Sequence, residues 1–548
     1  MKVKSPKINL LSSLRGLTRE KWALGATILT GKMIGLGLVL LAIFSIPGLM
    51  PAAAHAAATA KADTSAIERS ILAQSKTTMD SINTVWTLVA AFLVFGMQAG
   101  FVMLEAGFAR KRETVNVLME CVFDTCLCGI LFYAIGYAFM FGWGNGFIGW
   151  HGDPTAKGTG SWFFLQNIPA TYAATGVPVI AHWIFQYAFA DTCSTIVSGA
   201  MIGRTSFRGD ILYSIGITGF IYPIIGHWAW GPDGFLATMG AKGFFLPALG
   251  QGFRDFAGST VVHTIGGVAS LAGAIVLGPR LGRIFKRDDK VNGGMPPGHN
   301  MLVAAVGTFI LWFGWYGFNP GSTLSGMDMQ GIGRIATNTT LAACAGGMVA
   351  MIAALWWGGT KGKFDLGFTL NGCLAGLVAI TCPCYWVSPL GATLLGGTAG
   401  LVVFGGMYLI EWFRIDDPVG AVSVHGFAGI WGTLSLGLFA SGQYGATGPY
   451  GADNSAPVTG LFYGGGWSVF EAQAIGTFTI AIAVFLVSIT MMFIIQKFPY
   501  PWKLRVEEHG EAGPGGLDVF DHGIEVYPAQ DDEISLSGLF ESSPKVTA

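Results

Sequence analysis

Charge is scarce in this chain: only 11% of its 548 residues are Asp, Glu, Lys or Arg. A soluble domain carries about 25%. That excludes an ordinary aqueous surface and, with 52% of residues hydrophobic, points to a polytopic membrane protein. A basic surplus is missing as well. With 31 Lys and Arg against 32 Asp and Glu the net charge is −1, so there is no basic face for a nucleic-acid partner. Cysteine is sparse, and its spacing does not suit a metal. The pairs Cys126-Leu127-Cys128 and Cys382-Pro383-Cys384 are C-x-C, without a matching pair elsewhere. The thiols read as small packing residues, and no metal, cofactor or catalytic group is expected.

What is abundant is glycine, 81 residues, and long apolar runs; mean hydropathy is +0.54. Small residues let membrane helices approach closely. Residues 1–56 read as a signal peptide: Lys2 to Lys32 supply a basic region, Met33 to Met50 are apolar, and Pro51 to Ala56 offer an A-x-A site. Residues 57–83 follow as a polar, helical extracytoplasmic segment. Eleven spans are then expected, at 84–109, 115–141, 178–203, 209–229, 257–279, 301–320, 333–357, 367–385, 390–410, 420–441 and 468–497.

Alternate loops carry the basic residues: Arg110-Lys111-Arg112, Arg204 and Arg208, Arg280 to Lys290, Lys361 and Lys363, and Arg414. The opposite loops hold only Lys157, Lys242 and Arg254. The basic side is cytoplasmic, which places the N-terminus outside and the C-terminus inside. The expected fold is an all-α membrane protein, two inverted five-helix repeats plus a final helix. Its transmembrane domain is 84–498, with a cytoplasmic tail at 499–548 whose end, from Asp531, is disordered by composition.

Two stretches repeat one pattern. Asp255 and His263 stand eight residues apart, as do Asp417 and His425, and each His enters an apolar run. An ionisable ring in a membrane helix is costly and marks a functional site. Two imidazoles can hydrogen-bond each other and still offer a polar edge to a path. They can also serve as haem ligands on facing helices, or as satisfied core residues. Asp255 and Asp417 sit at aqueous boundaries on opposite sides, as helix caps or cation attractors. Phe185, Gln186, Tyr187 and Phe189, then Trp228 and Trp230, then Trp312, Trp315, Phe318 and Ser322 cluster towards the outer side. Ring faces attract cations, and Trp also populates membrane interfaces.

Five ordered stretches resemble the Amt/Mep/Rh ammonium transporter family. They are Gln98 to Gly107, Asp255-Phe256-Ala257-Gly258 with Val262-His263, Gly314 to Ser322, Asp416-Asp417-Pro418 with Val424-His425-Gly426, and Gly516-Leu517-Asp518 with His522-Gly523. The Amt branch fits better than Rh. The resemblance implies a homotrimer in the plasma (inner) membrane, each subunit with its own pore for ammonium or ammonia. It implies recruitment at Trp230, Phe189, Ser322 and Asp255, a gate of Phe189 and Phe318, and a pore with His263, His425, Gln186 and Trp315. A PII-type nitrogen-regulatory protein is the expected partner of the tail. A Rh-type ammonia or carbon dioxide channel and an ammonium sensor are the alternatives. Asp191, Cys193, Gly203 and the tail ending His522 to Tyr527 depart from the family pattern.

Overall fold

In hydrocarbon a backbone must satisfy its own hydrogen bonds, and helices do so segment by segment. The computed structural model describes residues 64–155, 160–172, 175–239, 252–358, 362–445 and 457–527. The expected signal peptide and the tail from Asp531 lie outside them. The chain divides into two units, residues 1–72 and 73–548. Of the first, only the start of a helix from Thr64 is described, exposed at Glu68 to Leu72.

Helices α1 (Thr64–Phe95), α2 (Met97–Phe108), α3 (Thr114–Leu131) and α4 (Tyr137–Phe141) open the bundle. Two short hairpins follow, Trp143–Asn145 with Ile148–His151 and Thr171–Tyr172 with Val177–Pro178. Then come α5 (Val179–Gly199), α6 (Phe207–Gly216), α7 (Tyr222–Trp230) and α8 (Ile265–Leu277). The second half holds α9 (Met301–Phe318), α10 (Met329–Trp357), α11 (Leu366–Thr381), α12 (Pro389–Trp412) and α13 (Ala428–Phe439). A long α14 (Ser468–Gln496) and two short tail helices, α15 (Glu508–Ala512) and α16 (Gly516–His522), complete the chain.

Each expected span coincides with helix. Among the described residues nine helical segments are long and apolar enough to cross a membrane. The other two expected spans fall short for different reasons. Helix α5 carries His182, Gln186, Asp191 and several hydroxyls among its 21 residues, which lowers its hydropathy. Helix α11 is apolar but only 16 residues long.

Four segments widen into π-helix: Phe132–Gly136, Ile217–Ile221, Ser259–Thr264 and Val422–Phe427. The last two carry His263 and His425. A π turn carries an extra residue and is frequent at functional sites.

Candidate functional site

The two aspartates of the repeated motif fix the two histidines. Asp255 Oδ1 accepts from Gly258 N at 3.0 Å, and its Oδ2 accepts from Thr260 N and Val261 N at 2.8 Å each. Asp417 Oδ1 accepts from Gly420 N and Ala421 N at 3.0 Å each, and its Oδ2 from Val422 N at 2.9 Å. Each carboxyl therefore caps the π segment that carries its His, filling the donors a helix start leaves open. Burial pushes both carboxyls up to about 6, against the backbone N–H groups that pull them down. The capping reading thus describes both acids. Asp255 also aims a ring, since its carbonyl accepts the indole N–H of Trp230 at 2.7 Å.

The capped segments then cross. A Cβ at Gly267 would lie 2.1 Å from Gly426 N, so only glycine permits this approach. It brings His263 and His425 together, Nδ1 to Nδ1 at 3.2 Å, with ring centroids 5.2 Å apart. Both rings are buried. One Nδ1 must donate and the other accept, so neutral rings hold opposite tautomers. Nε2 of His263 has no partner and is a free polar edge in an apolar wall.

Aromatic rings continue from the pair. His263 stacks on Trp315 at 5.2 Å and on Phe318 at 5.4 Å. Phe318 stacks on Phe189 at 4.0 Å, and Phe189 meets the edge of Trp230 at 6.2 Å. Trp315 is held by its N–H to Thr381 Oγ1 at 2.9 Å. Trp230, Phe189, Phe318, His263 and His425 thus form one file, with Trp315 at its side. Ser322 is half-buried and donates to the Phe318 carbonyl at 2.7 Å, which leaves its lone pairs free to accept. Gln186 sits one turn before Phe189 on α5, and its Nε2 lies 3.3 Å from His182 Nε2. Its Oε1 is buried without a partner.

His182 stands outside the repeated Asp-His spacing, yet it is buried, stacks on Tyr172 at 3.6 Å and bonds Tyr137 Oη at 2.9 Å. Beside the second Asp-His motif, Asp417 and Ser423 line a cavity of about 540 Å³ with Asn371, Phe108, Tyr408 and Glu411.

The departures from the family pattern have definite places. Asp191 and Cys193 are buried on α5. Gly203 has φ +82°, and a Cβ there would lie 2.5 Å from the Glu113 carboxylate. Glu113, paired with Arg110, thus occupies the space where a side chain at 203 would run. Next to it Arg204 is buried, donating to the carbonyls of Gly278 at 3.0 Å and Asp416 at 2.6 Å. Burial lowers its guanidinium to about 10. Burial also acts on Asp416, but hydrogen bonds and charge from Arg280 and Arg204 hold its carboxyl well below the usual range.

Comparison with known proteins gives a consistent answer. The Ammonium Transporter Family model matches residues 85–527. The Archaeoglobus fulgidus protein named ammonium transporter Amt2 is 41% identical over 449 residues, covering 82% of this chain and 88% of its own. Ammonium transporter 1 member 3 of Solanum lycopersicum is 36% identical over 466 residues, covering 83% and 95%. Among solved structures, a sensor Amt protein is 32% identical with a TM-score of 0.68, covering 81% of this chain and 99% of its own. Mep2 of Saccharomyces cerevisiae is 26% identical with a TM-score of 0.66, covering 78% and 90%.

Proposed function

This chain belongs to the Ammonium Transporter Family, and on that premise we propose that it recruits NH4+ at an outer aromatic site, strips its proton and conducts NH3 past paired histidines. The observation that carries the reading is the His263–His425 bond, continued by Trp315, Phe318, Phe189 and Trp230.

Energetics favour the chemistry. A bare ion moved to a medium of low dielectric costs on the order of 20 kcal/mol in the idealised limit. A cation–π contact returns about 0.5–2 kcal/mol. Ring faces can therefore collect ammonium but cannot carry it through the stacked Phe189–Phe318 pair. Ammonia is neutral, and it both donates and accepts. The unpartnered Nε2 of His263 suits such a solute. Potassium has no proton to lose and is rejected on chemical grounds.

Trp230, Phe189 and Ser322 form the recruitment site. Asp255 supports it by aiming Trp230, and Gln186 flanks the gate. The proton passes separately by way of the histidine pair. Eleven spans with the N-terminus outside, a homotrimer in the plasma membrane and a PII-type partner at the tail complete the proposal. Similarity to a sensor Amt protein favours ammonium sensing as the second reading.

Reconstituted liposomes test the function. Ammonium addition is expected to give current and methylammonium uptake in the wild type, and the double change His263→Ala and His425→Ala is expected to abolish both selectivity and uptake. Equal potassium and ammonium currents, or no flux at all, would sink the proposal.

A further inference from the structure

The end of α7 holds a buried imidazole that the stacked file does not use. His227 stands three residues before Trp230 and is fully buried. Its Nδ1 lies 3.0 Å from Met140 O, and its Nε2 lies 2.9 Å from Asn145 O. Both are ordinary hydrogen-bond lengths. A backbone carbonyl can only accept, so both ring nitrogens must donate. A neutral imidazole has one N–H, and only the imidazolium has two.

The surroundings suit a cation on separate grounds. Asp233 Oδ1 lies 3.3 Å from His227 Nε2 and supplies a counter-charge at ion-pair distance, while the Nε2 hydrogen bond itself goes to Asn145. Met140 lies in the last turn of a helical segment that runs from Lys111 to Phe141, and His227 lies in the last turn of its own helix. Each helix end presents carbonyls without helical partners and the negative pole of its dipole, which favours a cation. A buried charge is costly unless it is paired and hydrogen-bonded, and this ring is both. Asp233 itself sits in the loop after α7. Burial pushes its carboxyl up, but the His227 ring and the Gly144 N–H pull it below its ordinary value. Asp233 is the ring's one ion-pair partner among the described residues. The other histidine of the hairpin, His151, turns instead to Gly152 O and the Trp150 ring.

The ring thus joins the end of α4, the hairpin Trp143–His151 and the loop after α7. Other bonds cross the same seam. Asp233 Oδ2 accepts from Gly144 N, Trp228 Nε1 donates to Phe147 O and Phe235 N donates to Gly146 O, each at 3.0 Å. Trp230 is held between this clasp, through the backbone of α7, and its own indole bond to the Asp255 carbonyl.

We propose that His227 is held as a buried imidazolium and acts as a positioning residue for Trp230. The positioning role rests on the recruitment reading given above; the protonation state does not. With both protons the ring binds Met140, Asn145 and Asp233 together, and α7 ends at a fixed place against the hairpin. With one proton gone, a ring lone pair would face a carbonyl lone pair at hydrogen-bond distance. The clasp would open and the indole would lose one of its two anchors. The ring acts through Trp230 and exchanges no proton with the substrate.

Solid-state NMR of the full chain in lipid vesicles, isotope-labelled at the histidine ring nitrogens, tests the protonation without any substrate. At about pH 8 an exposed histidine, with an ordinary value near 6.5, is neutral, so a doubly protonated ring stands out. The wild type is expected to show such a ring, and His227→Gln is expected to lose it. A wild type whose rings each carry a single proton, or a signal unchanged in His227→Gln, would overturn the proposal. The positioning role is read from methylammonium uptake across concentration. His227→Gln and Asp233→Asn are each expected to raise KM several-fold and to leave the maximal rate near that of wild type, since the gate and the histidine pair are untouched. An unchanged KM, or a fall in the maximal rate alone, would overturn that role. Should the wild type take up no methylammonium, the ammonium reading falls and the positioning role with it, while the spectrum still decides the imidazolium. Should His227→Gln fail to fold, Asp233→Asn carries the uptake test and the wild-type spectrum the protonation test.

Discussion

At Asp255 the side-chain carboxyl serves three backbone N–H groups, while the backbone carbonyl accepts the indole N–H of Trp230. Asp255→Ala strands the three backbone donors. At ~1–3 kcal/mol for each buried unsatisfied group, even partial relaxation leaves a loss of about 2 kcal/mol or more, read as a lower unfolding temperature in detergent. The pH dependence has a definite sign. Asp255 and Asp417 hold their protons up to about 6 in the folded chain, against about 3.9 when unfolded. Between these values the folded state binds more protons, so stability falls as pH rises through the window and is level above it. The wild type is expected to show this fall relative to the double change Asp255→Asn and Asp417→Asn, which removes both titrations. A parallel pair of unfolding curves from pH 4 to 7 would contradict it.

Elements owe their placement to small contacts. Gly267→Ala would drive a methyl to 2.1 Å from Gly426 N and part the two π segments. The His–His bond and methylammonium uptake are both expected to be lost. Gly405→Ala is the control, since a Cβ at that position meets nothing within 4 Å; its uptake is expected to match wild type. The helices were legible in the sequence because long apolar runs are bounded by polar loops. The histidines were legible because Asp and His recur at one spacing in both halves. Helix α5 was legible despite its polarity, since its aromatics keep the run apolar between the polar turns. The π segments left no such trace, because one more residue per turn changes no composition. The five buried acids of the first half were missed as a set. Glu105 reads as part of a motif, Asp191 as a departure, and Glu120, Asp124 and Asp210 as scattered polar residues; only tertiary packing of α2, α3, α5 and α6 gathers them. Asn116 and His522 are joined across the sequence for the same reason.

On the scale of the whole molecule, the tail is fastened at two places at once, the loop after α5 and the end of α8 with the loop that follows it. Val506 N donates to Arg204 O at 3.0 Å, and Arg505 bonds Leu277 O at 2.5 Å. Glu511 takes Arg505 at 2.8 Å and the backbone N–H of Leu281 at 2.5 Å. Glu511→Gln keeps the shape and removes the charge. Charge-assisted bonds are worth about 1.5–3 kcal/mol, so the tail is expected to loosen while the bundle stays folded. Trypsin would then cut faster at Lys503 or Arg505 and leave the membrane fragment intact; unchanged cleavage would show that the charge is not what fastens it. Beside this junction lie Gly203 and Glu113, one position supplying the room that the other fills. Any side chain at 203 would meet the Glu113 carboxylate and would also sit at φ +82°, so shortening Glu113 alone would clear the space and leave the backbone strain in place.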